Sequence, residues 1–446
     1  MKIASLAVLV PFALACGSTP QHNGDGGTQE NGADSGNQNA PANPAPPSNC
    51  GAPPAADAGT VAAVVQGNTT FAANLFTQLA KEADGGNLFF SPYSVSAALA
   101  MTYAGAEGQT ATQMEQVLGL PGAAQDIAPA EGALACKLSA DGAGADGGEL
   151  DIANGLFGQQ GKTFEPPFLS LLSSDFGAGL QYVDFRGNPD GARQAINQWV
   201  SNQTRGMIPD LLPPGTITSD DQFALADALY FTALWAGVNG KTGPFDPALT
   251  QPANFTTPTG TVQAPMMQGD EPQSVPYFHG LGVAAIEMTF QDQGIAMDFF
   301  LPDSPTGLPA LEALITPATL QTVIGAMTPT TVNVQLPKLN LDTKLNLVST
   351  LQAMGLTNPF DSSQADFSGM DGQKDLFIGL VQHEAVLKVY EAGATAAAAT
   401  VVAMVGGASP QNVAQFVADH PFLLLIRDVP TGTILFAGQV TDPTKN

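Results

Sequence analysis

Apolar positions recur at helical spacing from Val61 to Ala80, where Phe71, Leu75, Phe76 and Leu79 fall on one face. A second helix is predicted to open at Ser91-Pro92, since Ser91 can cap free N–H groups and Pro92 suits the first helical position, and to end near Gly105. Strand patterns stand out at Phe223 to Phe231, Ala296 to Leu301, Thr331 to Lys338, Leu376 to Val389, Phe422 to Ile426 and Ile434 to Val440. Strands that come in runs, without βαβ alternation, predict an α+β fold of antiparallel sheets with helices segregated around them. No long linker or repeat follows residue 57, so residues 57–446 read as one large domain.

Before that domain the pattern changes twice. Lys2, an apolar stretch from Ile3 to Leu14 and small residues ahead of Cys16 read as a signal peptide over residues 1–15. Ala13-Leu14-Ala15 fits ordinary secretion, while Leu14-Ala15-Cys16-Gly17 resembles the lipobox of bacterial lipoproteins, with Ala13 where Leu is usual. Both place the cut before Cys16, and a lipidated Cys16 would hold the protein on a membrane surface by acyl chains alone. Residues 16–56, beyond Cys16 rich in Gly, Pro, Asn, Gln, Ala and Ser, bury too little apolar area to order and form a tether. No apolar run reaches the roughly 18 residues of a membrane span. The expectation is an exported protein, secreted or anchored to the cell envelope.

Charge narrows the partners. With 14 Lys+Arg against 40 Asp+Glu the net charge is −26, which repels phosphate backbones and excludes nucleic acid. The 24 Phe and 12 Met still supply a sizeable core. Of 3 Cys, Cys50 and Cys136 either pair, as spare thiols do outside the cytoplasm, or Cys136 packs as a small apolar residue. No C-x-x-C or H-x-x-x-H pair suggests a metal.

Catalytic signatures are missing too: there is no G-x-S-x-G elbow and no H-E-x-x-H helix. A G-x-G-x-x-G match at Gly142, Gly144 and Gly147 has no strand before it and reads as a loop. Neither an enzyme nor a cofactor is expected.

The informative segment is Glu391-Ala392-Gly393-Ala394-Thr395-Ala396-Ala397-Ala398-Ala399-Thr400, almost wholly of small side chains, directly after an apolar strand. No Lys or Arg occurs between Lys388 and Arg427. Together with Asn87 to Val95, Ile208-Pro209-Asp210-Leu211-Leu212, Ala228 to Phe231 with Trp235, Asp366 to Met370 and Ala418-Asp419-His420-Pro421-Phe422, this segment resembles the serpin family through about 380 residues. The resemblance implies the serpin fold, three β-sheets with eight or nine helices and an exposed reactive-centre loop, in an exported bacterial member. It also implies a suicide-type inhibitor that traps a serine protease as an acyl-enzyme while the loop hinge, Glu391 to Thr400, enters the large sheet. A strand entering a packed sheet buries alternate side chains, here Ala394, Ala396, Ala398 and Thr400 on one face and Thr395, Ala397 and Ala399 on the other.

By the family's spacing the reactive bond is Gly407-Ala408, with Met404-Val405 and Ser409-Pro410 as alternatives. All are neutral, so the target is expected to be elastase-, subtilisin- or chymotrypsin-like. Ser91, Ser94, Asp227 and His383 match the family's shutter, with Asp227 in place of the usual Asn; a carboxylate there should favour a charged imidazole and acid-sensitive gating. Trp235 matches the breach, where the loop enters. The region matching a polyanion-binding helix, Gly132 to Ala140, has only Lys137, so no heparin-like activator is expected. The protein is expected to act as a monomer. A rival reading is a non-inhibitory serpin serving as chaperone, carrier or binding protein.

Overall fold

Asp57 opens the first helix, its carboxylate accepting the Thr60 N–H, and α1 (Ala58–Glu82) buries Phe71, Leu75, Phe76 and Leu79. The second start also follows its sequence: Ser91 Oγ accepts the Ser94 N–H at 3.1 Å and Pro92 begins α2 (Pro92–Tyr103). Further helices are α3 (Gly108–Leu118), α4 (Ala124–Asp141), α5 (Pro166–Ser174), α6 (Pro189–Gln203), α7 (Leu308–Glu312), α8 (Pro317–Ala326), α9 (Val348–Ala353) and α10 (Ser368–Asp371). The structure, a computed structural model, describes residues 55–143, 149–237, 243–291, 294–394 and 413–446. The leader with Cys16, most of the tether with Cys50, hinge residues Thr395 to Thr400 and all three candidate reactive bonds lie outside them.

The strands are β1 (Leu88–Phe90), β2 (Glu149–Gln159), β3 (Leu180–Val183), β4 (Phe223–Leu234), β5 (Gln251–Thr257), β6 (Gly260–Gln268), β7 (Gln273–Gly280) and β8 (Val283–Thr289). They continue with β9 (Ile295–Pro302), β10 (Thr328–Pro337), β11 (Leu339–Asn346), β12 (Val381–Tyr390), β13 (Gly393–Ala394), β14 (Ala414–Val417), β15 (Phe422–Asp428) and β16 (Ile434–Val440). One sheet runs β11-β12-β13-β4-β2-β3; the other follows β1-β16-β15-β9-β8-β7-β10-β6-β5, with β14 on β10.

Three separate sheets were expected, and hydrogen bonding joins two of them. β10 serves both, pairing β7 from Thr328 to Val332 and β6 from Gln335 to Pro337. The run from Leu376 also differs: the strand begins only at Val381, because Leu376, Ile378 and Leu380 are buried on an extended entry whose Ile378 N–H bonds Pro359 O instead of a ladder. Ten helices are found among the described residues, three of them of six residues or fewer.

Strand alternation divides the six-stranded sheet between two apolar layers. Odd-numbered residues of its centre, Leu225, Leu229 and Phe231 of β4 with Ala385, Leu387 and Val389 of β12, join the main core. Ala224, Ala226 and Ala228 face a second cluster built by Ile196 and Val200 of α6 and by Ile208, Leu211 and Leu212. Those last three belong to the strap, residues 204–222, which returns from α6 to β4.

Candidate functional site

The middle of the six-stranded sheet holds an incomplete seam. At one end β12 and β4 pair directly and in parallel, Val381 to Ala385 against Leu225 to Leu229. At the other end β13 sits between them: Ala394 is opposite Val389 and Ala233, and Gly393 opposite Tyr390 and Leu234. The first two small residues of the sequence-predicted hinge are thus already strand, and they stop short of the directly paired part.

Several contacts fix the point of entry. Trp235 is fully buried, stacks on Phe290 at 4.6 Å, donates its indole N–H to Tyr390 O at 3.0 Å and its backbone N–H to Ala392 O at 2.9 Å. Thr232 Oγ1 donates to Ala394 O at 3.1 Å. Position 393 needs glycine, because a Cβ there would lie 2.1 Å from Ala233 O. Glu391 pairs with Lys338 at 2.9 Å and accepts from Thr250 Oγ1 at 2.6 Å. Burial pushes its carboxyl up, and the bonds from Lys338 and Thr250 outweigh that, holding it below its ordinary value. Trp235 therefore acts as a backbone donor to the hinge as well as a core aromatic. Lys338 and Thr250 escaped the sequence reading, since each meets Glu391 only through tertiary contact.

At the directly paired end the four shutter residues come together, with two more. His383 Nε2 accepts the Ser91 N–H at 3.0 Å, so the ring carries its proton on Nδ1, which faces Asp227 Oδ1 at 3.2 Å. A second proton, on Nε2, would cost the ring its bond from Ser91. Ser91 Oγ donates to Leu435 O at 2.6 Å. Ser94 Oγ lies 2.5 Å from Asp227 Oδ1 and 2.8 Å from the Asn154 amide. One hydroxyl proton cannot serve two acceptors, so Ser94 donates to Asp227 and the Asn154 side chain turns its NH₂ toward Ser94. The network spans α2, β2, β4, β12 and β16, clasping the seam from below.

Other sequence candidates fall elsewhere. Gly142 is the C-cap of α4 and follows no strand. Lys137 of α4 is paired with Asp141. Cys136 is disulfide-bonded. Among the described residues no helix is long and apolar enough to cross a membrane.

A sheet with an opening at its centre, a small-residue hinge seated in that opening and a polar clasp beneath it agree with the comparisons to known proteins. The profile of the serpin (serine protease inhibitor) family matches residues 66–443. The chain is 36% identical over 384 residues to leukocyte elastase inhibitor A of Rattus norvegicus, spanning 84% of this chain and 98% of the relative. It is 33% identical over 383 residues to leukocyte elastase inhibitor of Homo sapiens, with the same two coverages, 84% and 98%. Among solved structures, Arabidopsis AtSerpin1 in its native stressed conformation superposes with a TM-score of 0.75 at 28% identity, over 86% of this chain and 99% of that one. Maspin superposes at 0.77 with 24% identity, over 86% and 100%, a likeness of fold. The chain belongs to the serpin family.

Proposed function

We propose that the protein inhibits a serine protease by a trap. The protease's serine oxygen attacks a carbonyl in the loop after Ala394, forming an ester to the new C-terminal residue and releasing the next residue's amine. The freed hinge then inserts between β4 and β12 and carries the acylated protease with it. The observation that carries this reading is the seated hinge, because its register defines where further insertion goes. Continuing antiparallel from Ala394, Thr395 would meet Lys388 and Thr232, Ala396 Leu387 and Phe231, and Ala397 Val386 and Tyr230. Ala398 would then meet Ala385 and Leu229, and Thr400 would meet His383 and Asp227. Those last partners are paired with each other now, so insertion past Ala397 exchanges one parallel ladder for two antiparallel ones. About 12 newly ordered residues at roughly 1 kcal/mol per hydrogen bond give on the order of 10 kcal/mol, as much as a whole domain's stability.

The neutral residues about Gly407 and Ala408 favour a protease with an elastase-, subtilisin- or chymotrypsin-like pocket, because a trypsin-like carboxylate finds no cation there. Incubation with all four proteases, followed by denaturing gels and mass analysis, tests this. A denaturant-resistant complex with a neutral-specificity protease is expected, and the mass of the released C-terminal peptide fixes the bond. Clean cleavage by every protease without complex or gain in thermal stability would instead support a carrier or chaperone. A stable trypsin complex formed within residues 389–426 would refute the specificity.

The same reading extends to location. The leader ahead of Cys16 and the low-complexity tether support export and lipid anchoring of a monomeric inhibitor, and the bonded state of Cys136 fits an oxidising compartment, with Cys50 as its partner. Acyl-chain mass at Cys16 and the Cys50 to Cys136 peptide in an unreduced digest test the two parts separately.

A further inference from the structure

Insertion moves one half of the sheet away from the other. Neighbouring strands lie about 4.8 Å apart, so a new strand between β4 and β12 roughly doubles their separation. Whatever bridges the two halves must let go. On one side, α6 and the strap ride on β2 and β4: Trp199 of α6 packs edge-on against Phe157 of β2 at 5.5 Å, and the strap's Ile208, Leu211 and Leu212 cover Ala224, Ala226 and Ala228. Both backbone groups of Leu212 bond Asn197 of α6, at 2.8 Å and 2.9 Å, so the strap travels with that helix. On the other side are β11 and β12. Lys344 of β11 reaches across from this half, its ammonium donating to Asp210 O of the strap at 2.9 Å. The same ammonium lies 3.2 Å from the carboxylate of Glu384, its cross-strand partner on β12, buried within the directly paired stretch.

We infer that Lys344 is a positioning residue for loop insertion: it staples the strap to the β11–β12 half of the sheet, and its release helps set how fast the seam opens. This rests on the trapping mechanism and adds to it a bond that only the closed sheet can make. Glu384 aims the ammonium, since a flexible lysine stem held by a single carbonyl would sample solvent. The groups that act on Glu384 are Lys344 and Asp342 on β11 and His383 on its own strand; Asp210 contributes its backbone carbonyl. Burial pushes the Glu384 carboxyl up to about 7 against the pull of Lys344. Below that value Glu384 is neutral, the ammonium loses its charged partner and the staple loosens, so insertion should quicken as the pH falls through about 7.

The test uses the full chain and a protease that forms the complex. Insertion is followed by the emission of Trp199 on α6 and Trp235 at the hinge after rapid mixing, and seam opening without protease by hydrogen exchange of the Val381 to Ala385 amides. Losing one charge-assisted hydrogen bond, Lys344→Gln should insert about tenfold faster than wild type and exchange those amides faster. Glu384→Gln should share part of that gain and, unlike wild type, show a flat rate between about pH 6 and 8. Wild-type rates and exchange in Lys344→Gln would overturn the staple, as would an unchanged pH profile in Glu384→Gln. If no variant, wild type included, forms a complex, the trapping reading fails, and the exchange data still decide whether Lys344 restrains the seam.

Discussion

Replacing Ala398 with glutamate separates insertion from every other property of the molecule. In the register set by Gly393 and Ala394, residue 398 would enter between Ala385 and Leu229, both 0% exposed and both facing the main core. A carboxylate there finds no cation: the facing positions on both strands are apolar. Breaking a buried charge pair so that one charge is left alone costs about 3–5 kcal/mol, and a lone carboxylate in this slot carries the same penalty. If half of it is felt at the barrier, about 2 kcal/mol, insertion slows roughly 30-fold at 1.36 kcal/mol per decade. The acyl-enzyme then has time to hydrolyse, and the inhibitor becomes a substrate. The assay is the number of inhibitor molecules consumed per protease trapped, measured on denaturing gels with melting temperatures before and after loop cleavage. The uncleaved variant should melt with wild type. Cleavage should raise the melting temperature of wild type and leave Ala398→Glu unchanged. Ala397→Glu is the control, because its facing residues, Val386 and Tyr230, lie in the other layer and are half-buried, so its effect should be smaller. Trapping by Ala398→Glu at the wild-type ratio would refute both the register and the mechanism built on it.

Gly393→Ala places a methyl 2.1 Å from Ala233 O and should cost about 1–3 kcal/mol by unseating β13, seen as a lower melting temperature and more inhibitor consumed per protease. Glu131 of α4 is buried, neither of its carboxylate oxygens has a hydrogen-bond partner among the described residues, and burial raises its pKa from 4.5 to about 7. The folded state therefore binds a proton that the unfolded chain has lost between about pH 4.5 and 7, and stability falls as pH rises through that window. Glu131→Gln should remove most of that fall, up to about 3 kcal/mol in urea titrations above pH 7; an unchanged slope would show that the carboxylate is solvated. Trp235→Phe keeps the stack on Phe290 but loses the indole bond to Tyr390 O, and should destabilise by about 1 kcal/mol while accelerating spontaneous insertion of the uncleaved loop, detected as slow loss of inhibitory activity at 37 °C.

Much of this arrangement was readable in the chain because it is written locally. Ser91-Pro92 announces α2, Gly393 and Ala394 follow the apolar strand into the sheet, and Ser91, Ser94, Asp227 and His383 are singled out in the chain and meet in the structure. What stayed hidden depends on contacts between distant segments. Lys338 and Thr250 reach Glu391 across 53 and 141 residues, and Lys344 reaches Asp210 across 134, distances over which periodicity carries no information. The bond that orients His383 was invisible for another reason: its donor is a backbone N–H, that of Ser91, which no side-chain pattern reveals. The merging of two sheets through β10 was missed because a ten-residue strand that changes partners midway looks, in its alternation, like any other.

The stretch where β12 and β4 run side by side has a further meaning once the directions of the strands are considered. Parallel ladders hold slightly less firmly per residue than antiparallel ones, and here the parallel ladder occupies the line along which the sheet divides. Either strand alone would pair better with a chain running the opposite way, and the loop that leaves β12 through the turn at Glu391 and Ala392 runs that way by construction. A parallel line of the sheet and the segment oriented to replace it are thus products of one chain reversal. The fold behaves as a zip whose slider is already threaded at the top, and a single cut in the loop supplies the slack that lets it run.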